Sequence, residues 1–374
     1  MLTTQVIERP ETLVDIAGSW DRLAEICGMP FCLSGWMLAW WHHAAPNRAL
    51  LRAICVYDGE ELVGAAAYSL VRAVTGVTIA EHVAAKASLR LEPIALPGAE
   101  REVAGAIAKA LAEGDSPADV IAFHGIPAAS IWPGLLREAW PGHEPWMHTD
   151  LTMPAPFMTL TGTYEGWFSA RSRNFREQTR RRRRQLEKAG AVFRVSDPER
   201  LETDLKAFAR LHRDRWAGRG GTSVLVAGVE EMLLEAGKTL LPSGNFHLWC
   251  IDVADKTIST QIFLTAGGQF TYWLGGFDEA WSSSQPSMQA LVAAVEDAWA
   301  RGEQRVDLGG GDQAYKYRLA DEEERLEWTV LVPRGRRYPV ARLHLAPRHL
   351  KRAVLQRTPD SLKSRVKAIL GRPG

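Results

Sequence analysis

At 374 residues, with 46% hydrophobic and 24% charged side chains, the chain is too long for one ordinary core and too apolar to be disordered. A formal net charge of +1 argues against a surface built to bind nucleic acid throughout. The start, MLTTQVIERPETLVD, carries acids and no apolar run, and nothing along the chain is long and apolar enough to span a bilayer, so a cytoplasmic protein of two domains is expected.

In chain order, TTQVIE reads as a strand, SWDRLAEIC as a helix, and LSGWMLAWWHHA as a helix with Trp36, Trp40 and Trp41 on one side. LLRAICVYDGEELVGAAAYSLVRA reads as two strands joined at Asp58-Gly59. A helix near 99–113, a strand ADVIAFHGI and a helix around 128–140 follow. The second half repeats that order, with helices across 163–189, a strand AVFRV and a helix over 198–216. A three-stranded meander turns at Ala254-Asp255 and Gly267-Gly268. Helix 284–301 then leads to a final strand pair near RVDLG and LEWTVLV. The duplication suggests two related domains joined near Pro154–Pro156. The four cysteines, Cys27, Cys32, Cys55 and Cys250, lack paired metal-ligand spacing and read as buried thiols. His42 and His43 are adjacent and are expected to point apart on their helix, so no metal is expected.

Three clusters carry candidate chemistry. YWLGGFDEAWSSSQPSMQALVAAVEDAW ends a strand and starts a helix, with Ser283 or Ser284 as its cap, Pro286 in the first turn and Asp278 just before it. Free N–H groups there form a candidate anion site. DLGGGDQAYKYRLAD places Asp312, Tyr315, Lys316 and Arg318 after three glycines, where Lys316 could face a phosphate or a developing oxyanion. LHRDRWAGRGG brings His212, Arg215 and Trp216 to the end of a helix.

Together NFREQTRRRRRQLEKAG, LHRDRW, YWLGGFDEAW and DLGGGDQAYKYR resemble the cellulose-biosynthesis-type acetyltransferase group. That group is a branch of the GNAT acyltransferases, similar to Fem-type aminoacyltransferases, with bacterial ceramide synthases among its relatives. The resemblance covers about residues 15–332, loosely in the first half through SWDRLAEICGMPFCLSGWMLAWW. It implies an α/β (α+β) fold of two tandem GNAT-like domains, each a mixed, mostly antiparallel sheet flanked by helices. Their bounds would be 1–155 and 156–332, with a basic amphipathic tail over 333–374. It also implies an acyl-CoA or other acyl thioester as co-substrate and no tightly bound cofactor. The donor would lie at Ser282 to Met288, so Ser283, Ser284, Ser287 and Met288 are candidate donor contacts, with Asn174, Arg176 and Arg215 beside them. That loop reads Gln285-Pro286-Ser287-Met288 where the group's signature is glycine-rich.

Amine acylation needs a base and an oxyanion donor. Asp278 is the first candidate base and His212 the second, while Lys316 or Tyr315 would serve the oxyanion or the donor phosphate. The leading acceptor is a sphingoid-type long-chain amine. The alternatives are an amino sugar of an exopolysaccharide precursor, an aminoacyl-tRNA donor, and a non-catalytic scaffold. Residues 334–374 hold twelve Lys or Arg against Asp360 alone, which favours an anionic membrane surface as partner through 334–372 and a peripheral place at the inner membrane. The run RSRNFREQTRRRRRQLEKAG would put its inward arginines on donor phosphate and its outward ones on the membrane; nucleic acid is not expected.

Overall fold

The computed structural model describes residues 2–217, 222 and 224–357, with the side chains of 348–357 left aside. The first half runs β1 (Leu2–Ile7), α1 (Pro10–Asp15), α2 (Ala17–Ile26), α3 (Ser34–Ala44), β2 (Leu50–Asp58), β3 (Glu61–Arg72), β4 (Thr78–His82), β5 (Ile94–Ala95), α4 (Glu100–Ala112), β6 (Val120–Pro127), α5 (Trp132–Glu138) and β7 (Trp146–Thr159). The second runs α6 (Tyr164–Ala170), α7 (Arg173–Lys188), β8 (Ala191–Val195), α8 (Leu201–Ala217), α9 (Val229–Leu240), β9 (Phe246–Val253), β10 (Lys256–Ala266), β11 (Gln269–Phe277), α10 (Pro286–Ala300), β12 (Arg305–Asp307), β13 (Glu322–Val332) and α11 (Tyr338–Arg357).

One mixed sheet joins these strands in the order β1-β2-β3-β4-β6-β13-β7-β12-β11-β10-β9-β8, with β5 on the side of β3. Among the described residues only β4 with β6 and β11 with β12 pair in parallel, and in each case a helix, α4 or α10, makes the crossover. The two halves are therefore the same motif twice, as the repeat in the sequence implies. They exchange their last strands: β7 lies against β12 of the second half and β13 against β6 of the first. The expected joint at Pro154–Pro156 falls inside β7, and the expected pairing of RVDLG with LEWTVLV does not occur, because β7 stands between β12 and β13.

Local chemistry accounts for the turns. Gly59 between β2 and β3 has φ +60, and Gly267 and Gly268 between β10 and β11 have φ +55 and +77, values that glycine adopts at no steric cost. At Gly267 close packing adds a second reason: a Cβ there would collide with the Glu25 carbonyl at the end of α2. Buried residues surround α10 almost completely (Gln289 to Val295 and Ala298), so it is the central helix of its half. In contrast α7 buries only Thr179 and Leu186. His42 and His43 do not point apart in effect; Nδ1 of the first and Nε2 of the second each lie 2.7 Å from one carboxylate, Glu235 on α9, which tethers α3 to α9. Cys32, Cys55 and Cys250 are buried and Cys27 half-buried, all as free thiols.

Candidate functional site

The site begins where two parallel strands part. β11 pairs with β12 only at Gln269, Phe270 and Thr271, opposite Arg305, Val306 and Asp307. β12 then ends, and the chain turns away through Gly309 and Gly311, with φ of +74 and +111, while β11 runs on to Phe277. Asp307 holds that turn by accepting from the Gly309 N–H at 2.7 Å. On its other edge β11 is bulged, because Leu274 pairs with Ile262 and Tyr272 with Phe263, leaving Trp273 without an opposite residue. Alternation along β11 puts Tyr272 on the α10 face and Trp273 on the α8 face, and the bulge adds Leu274 to the α8 face beside it.

A cavity of about 960 Å³ fills the gap. On the α10 face it is walled by Gln261, Tyr272, Ser287, Met288 and Tyr315; on the other by Phe31, Ala85, Trp216 and Trp273, together with the first-half stretch Lys86 to Arg90. An ion network joins the halves at its base: Arg90 pairs with Asp307 and with Glu324 at 2.7 Å, and Arg305 pairs with the same Glu324.

Lys316 is 4% exposed and lines this cavity. Its Nζ donates to the Gly309 and Gly310 carbonyls at 2.9 and 2.7 Å, which leaves one N–H. Burial pulls its pKa down to about 8, against the upward pull of Asp307 and Asp312. Burial likewise holds the Tyr272 and Tyr315 phenols above their usual range, with Arg215 pulling the other way, so both are neutral O–H groups. His212 is kept below its ordinary value, chiefly by burial, and is a neutral imidazole near pH 7. The Gly275 carbonyl 3.4 Å from Nδ1 can only accept, so Nδ1 carries the proton and Nε2 accepts from the Thr222 hydroxyl at 2.8 Å.

At the start of α10, Gln289 N–H donates to the Gln285 carbonyl, so the Ser287 and Met288 N–H groups before it are free of helical partners. Arg215 lies in the same wall, its guanidinium 5.0 Å from the Phe277 ring centre. Gln261 braces this end from β10, donating from Nε2 to the Ser287 hydroxyl at 3.0 Å and to its carbonyl.

The cavity thus gathers His212, Arg215, Ser287, Met288, Tyr315 and Lys316 from the sequence-derived set. It does not gather Asp278, which pairs with Lys256 at 2.6 Å and accepts from Ala280 N–H at 3.0 Å, capping a 3-10 turn over 279–284. That ion pair holds its carboxyl below the ordinary range. Ser283 and Ser284 are not the cap of α10, since they belong to that 3-10 turn; the N-cap is Gln285, with φ +51 and no side-chain bond. Ser282 and Gln285 line the cavity in their place. On α7, Asn174 is exposed and bonded to Gln178 at 2.9 Å, and neither it nor Arg176 reaches the cavity. Gln261, Tyr272 and Trp273 were not singled out from sequence. Gln261 alone left a trace, a polar amide in the middle of the buried run ISTQIFL. Among the described residues no group of three His, Cys, Asp or Glu could hold a metal ion.

A cavity between parting parallel strands, with free N–H groups at its mouth and a buried amine at its base, belongs to a group-transfer fold. Residues 173–317 match the acetyltransferase (GNAT) domain family. The crystal structure of FemX is similar over 90% of this chain and 99% of its own, at 12% identity and a TM-score of 0.62. The C-terminal domain of a putative lysylphosphatidylglycerol synthetase from Agrobacterium fabrum is similar over 89% of this chain and 95% of its own, at 9% identity and a TM-score of 0.54. At those identities the two likenesses speak for the fold. No curated protein matches the chain in sequence. The chain carries a GNAT acetyltransferase domain in a GNAT-like α/β fold and is an N-acyltransferase.

Proposed function

We propose that the protein moves an acyl group from a phosphate-bearing thioester, such as an acyl-CoA, to a primary amine at the gap between β11 and β12. The observation that carries this is the buried Lys316, whose Nζ has one N–H beyond its two carbonyl bonds and which lines the same cavity as the free N-terminus of α10. Donor phosphate is met at that end by the Ser287 and Met288 N–H groups and by Arg215. The arm then enters the gap and brings the thioester carbonyl to Lys316. The amine nitrogen attacks the carbonyl carbon, the C–N bond forms, and the C–S bond breaks with its electrons leaving on sulfur. The Lys316 ammonium stabilises the oxyanion. The proton that the nitrogen sheds reaches the neutral His212 at Nε2 through the Thr222 hydroxyl bonded there, and the thiolate is reprotonated by Tyr315 or by solvent.

A long-chain, sphingoid-type amine at a membrane surface is the leading acceptor, because a lipid-borne amine suits a protein whose last described helix is basic and partly apolar at its surface. Contact with the membrane is supported by α11, where Leu343 and Val340 are 74% and 44% exposed beside basic residues; the rest of the proposed contact, 358–372, lies outside the described residues. None of the described helices is long and apolar enough to cross a membrane. An amino-sugar acceptor would use the same chemistry.

Mass spectrometry of reactions with acyl thioesters and a panel of long-chain amines and amino sugars tests the reading. N-acylated amine should form, and Lys316→Met should slow it at least a hundredfold in kcat, the scale of a lost oxyanion donor. Full activity in Lys316→Met would remove this residue from the mechanism.

A further inference from the structure

The cavity continues beyond the point of transfer onto the α8 face. There Phe31, Ala85, Val224 and Trp216 line it, and the Trp273 indole stands between it and the main core. Trp273 is fixed in place. Its Nε1 donates to the Ala87 carbonyl at 2.6 Å, and its ring sits edge-on to Trp36 at 5.6 Å and beside Phe208 at 6.1 Å. Trp36 and Phe208 are fully buried, so the indole has no room to retreat.

We infer that this aromatic end is the pocket for the acyl chain, that the transferred group is a medium or long aliphatic chain in place of acetyl, and that Trp273 sets its maximum length. This rests on the acyl-transfer reading above. Alternation along β11 puts the two sides of the gap to separate uses, because Tyr272 faces the donor end and Trp273 faces the chain threaded past it. An acetyl group would cover one methyl's worth of this wall and leave the rings against water. Each further buried methylene should raise kcat/KM about fourfold until the chain meets the indole. Beyond that, added carbons must displace a close-packed ring and the gain reverses.

The test measures kcat/KM for CoA thioesters from acetyl to palmitoyl against one fixed amine. The expected profile rises to a maximum and then falls. Trp273→Leu should move the maximum to longer chains, and Ala85→Leu, which fills the same wall, to shorter ones. Because the profile is a ratio within one preparation, it does not depend on the folded fraction of a variant. Acetyl as the best donor, a maximum unmoved in both variants, or a chain-length profile that appears along the amine and not the acyl group would overturn the pocket assignment. Failure of the wild type to use any thioester would instead overturn the acyl-transfer reading, and the pocket would fall with it.

Discussion

Lys316 carries a charge where there is almost no water, and that has a signed pH consequence. Its pKa of about 8 in the folded protein lies below the ordinary 10.5, so between those values the unfolded chain binds more protons. The contribution of Lys316 to stability should therefore rise with pH from about 8 to 10.5, by about 3 kcal/mol, and the full cost of the buried charge applies below pH 8. Denaturant melts at pH 7 and pH 10 should show it as the difference between wild type and Lys316→Met, because the buried Cys32, Cys55 and Cys250 thiols, raised by burial, pull both proteins down alike above about pH 9. Activity should run the other way. With the ammonium as oxyanion donor, kcat falls as pH passes about 8, and a rise there would make the amine a base instead. Asp278 offers the opposite case. An acid before a helix start reads the same from sequence whether it is a base or a cap, and its partner Lys256 comes near only because β10 and β11 pair. Asp278→Asn should leave kcat/KM within about threefold, since a positioned base would be worth 10²–10⁴. Lys316 and Tyr315 were legible because glycines precede them. Trp273 was not, since an aromatic in a strand reads as core and the cavity beside it opens only where β11 runs on past the end of β12.

At the scale of elements, most of the order of helices and strands was legible from apolar periodicity and from the turn glycines, and the meander β9-β10-β11 stands where its turns placed it. The exchange of β7 and β13 was not. Strand partners are chosen by contacts far apart in sequence, and both segments alternate well enough to pair with either half. α9 also escaped, because the Gly, Thr and Ser residues of AGRGGTSVLVAG before VEEMLLEAGKTL read as loop and the helix starts from Gly228 without a side-chain cap. The halves are locked together partly through one turn. Gly267 donates to the Glu25 carboxylate, Asn245 Nδ2 donates to the same group at 2.5 Å, and a Cβ on Gly267 would sit about 3.0 Å from Gly28 Cα as well as on the Glu25 carbonyl. Gly267→Ala forces a left-handed alanine and parts the β10–β11 turn from α2. It should cost about 2–3 kcal/mol in a denaturant melt. A change under 0.5 kcal/mol would show that α2 yields freely and that this turn does not hold the halves together.

Across the whole molecule, charge is distributed by sign as well as by number. The twelve basic residues after Val332 leave the rest of the chain net negative, and α7 is the basic exception within it. Its arginines divide by what they touch, though not as expected from sequence. Arg182 donates to the Ser283 carbonyl, and Arg183 stacks 3.6 Å from the centre of Phe193 while pairing with Glu187 at 2.9 Å, so the inward side braces protein instead of reaching the donor. Arg180, Arg181 and Arg184 are exposed. If α7 and the tail share an anionic leaflet, reversing the exposed charges must weaken binding without touching the fold. A basic residue near such a surface contributes about 1 kcal/mol, so Arg181→Glu with Arg184→Glu should weaken binding to phosphatidylglycerol vesicles at least tenfold. Melting and turnover of a water-soluble amine should be unchanged. Arg183→Glu should instead lower the melting temperature, because it loses a ring contact and repels Glu187. Vesicle binding unaffected by the double reversal but abolished by removing residues 358–374 would assign the membrane contact to the tail alone and leave the outer face of α7 merely solvated.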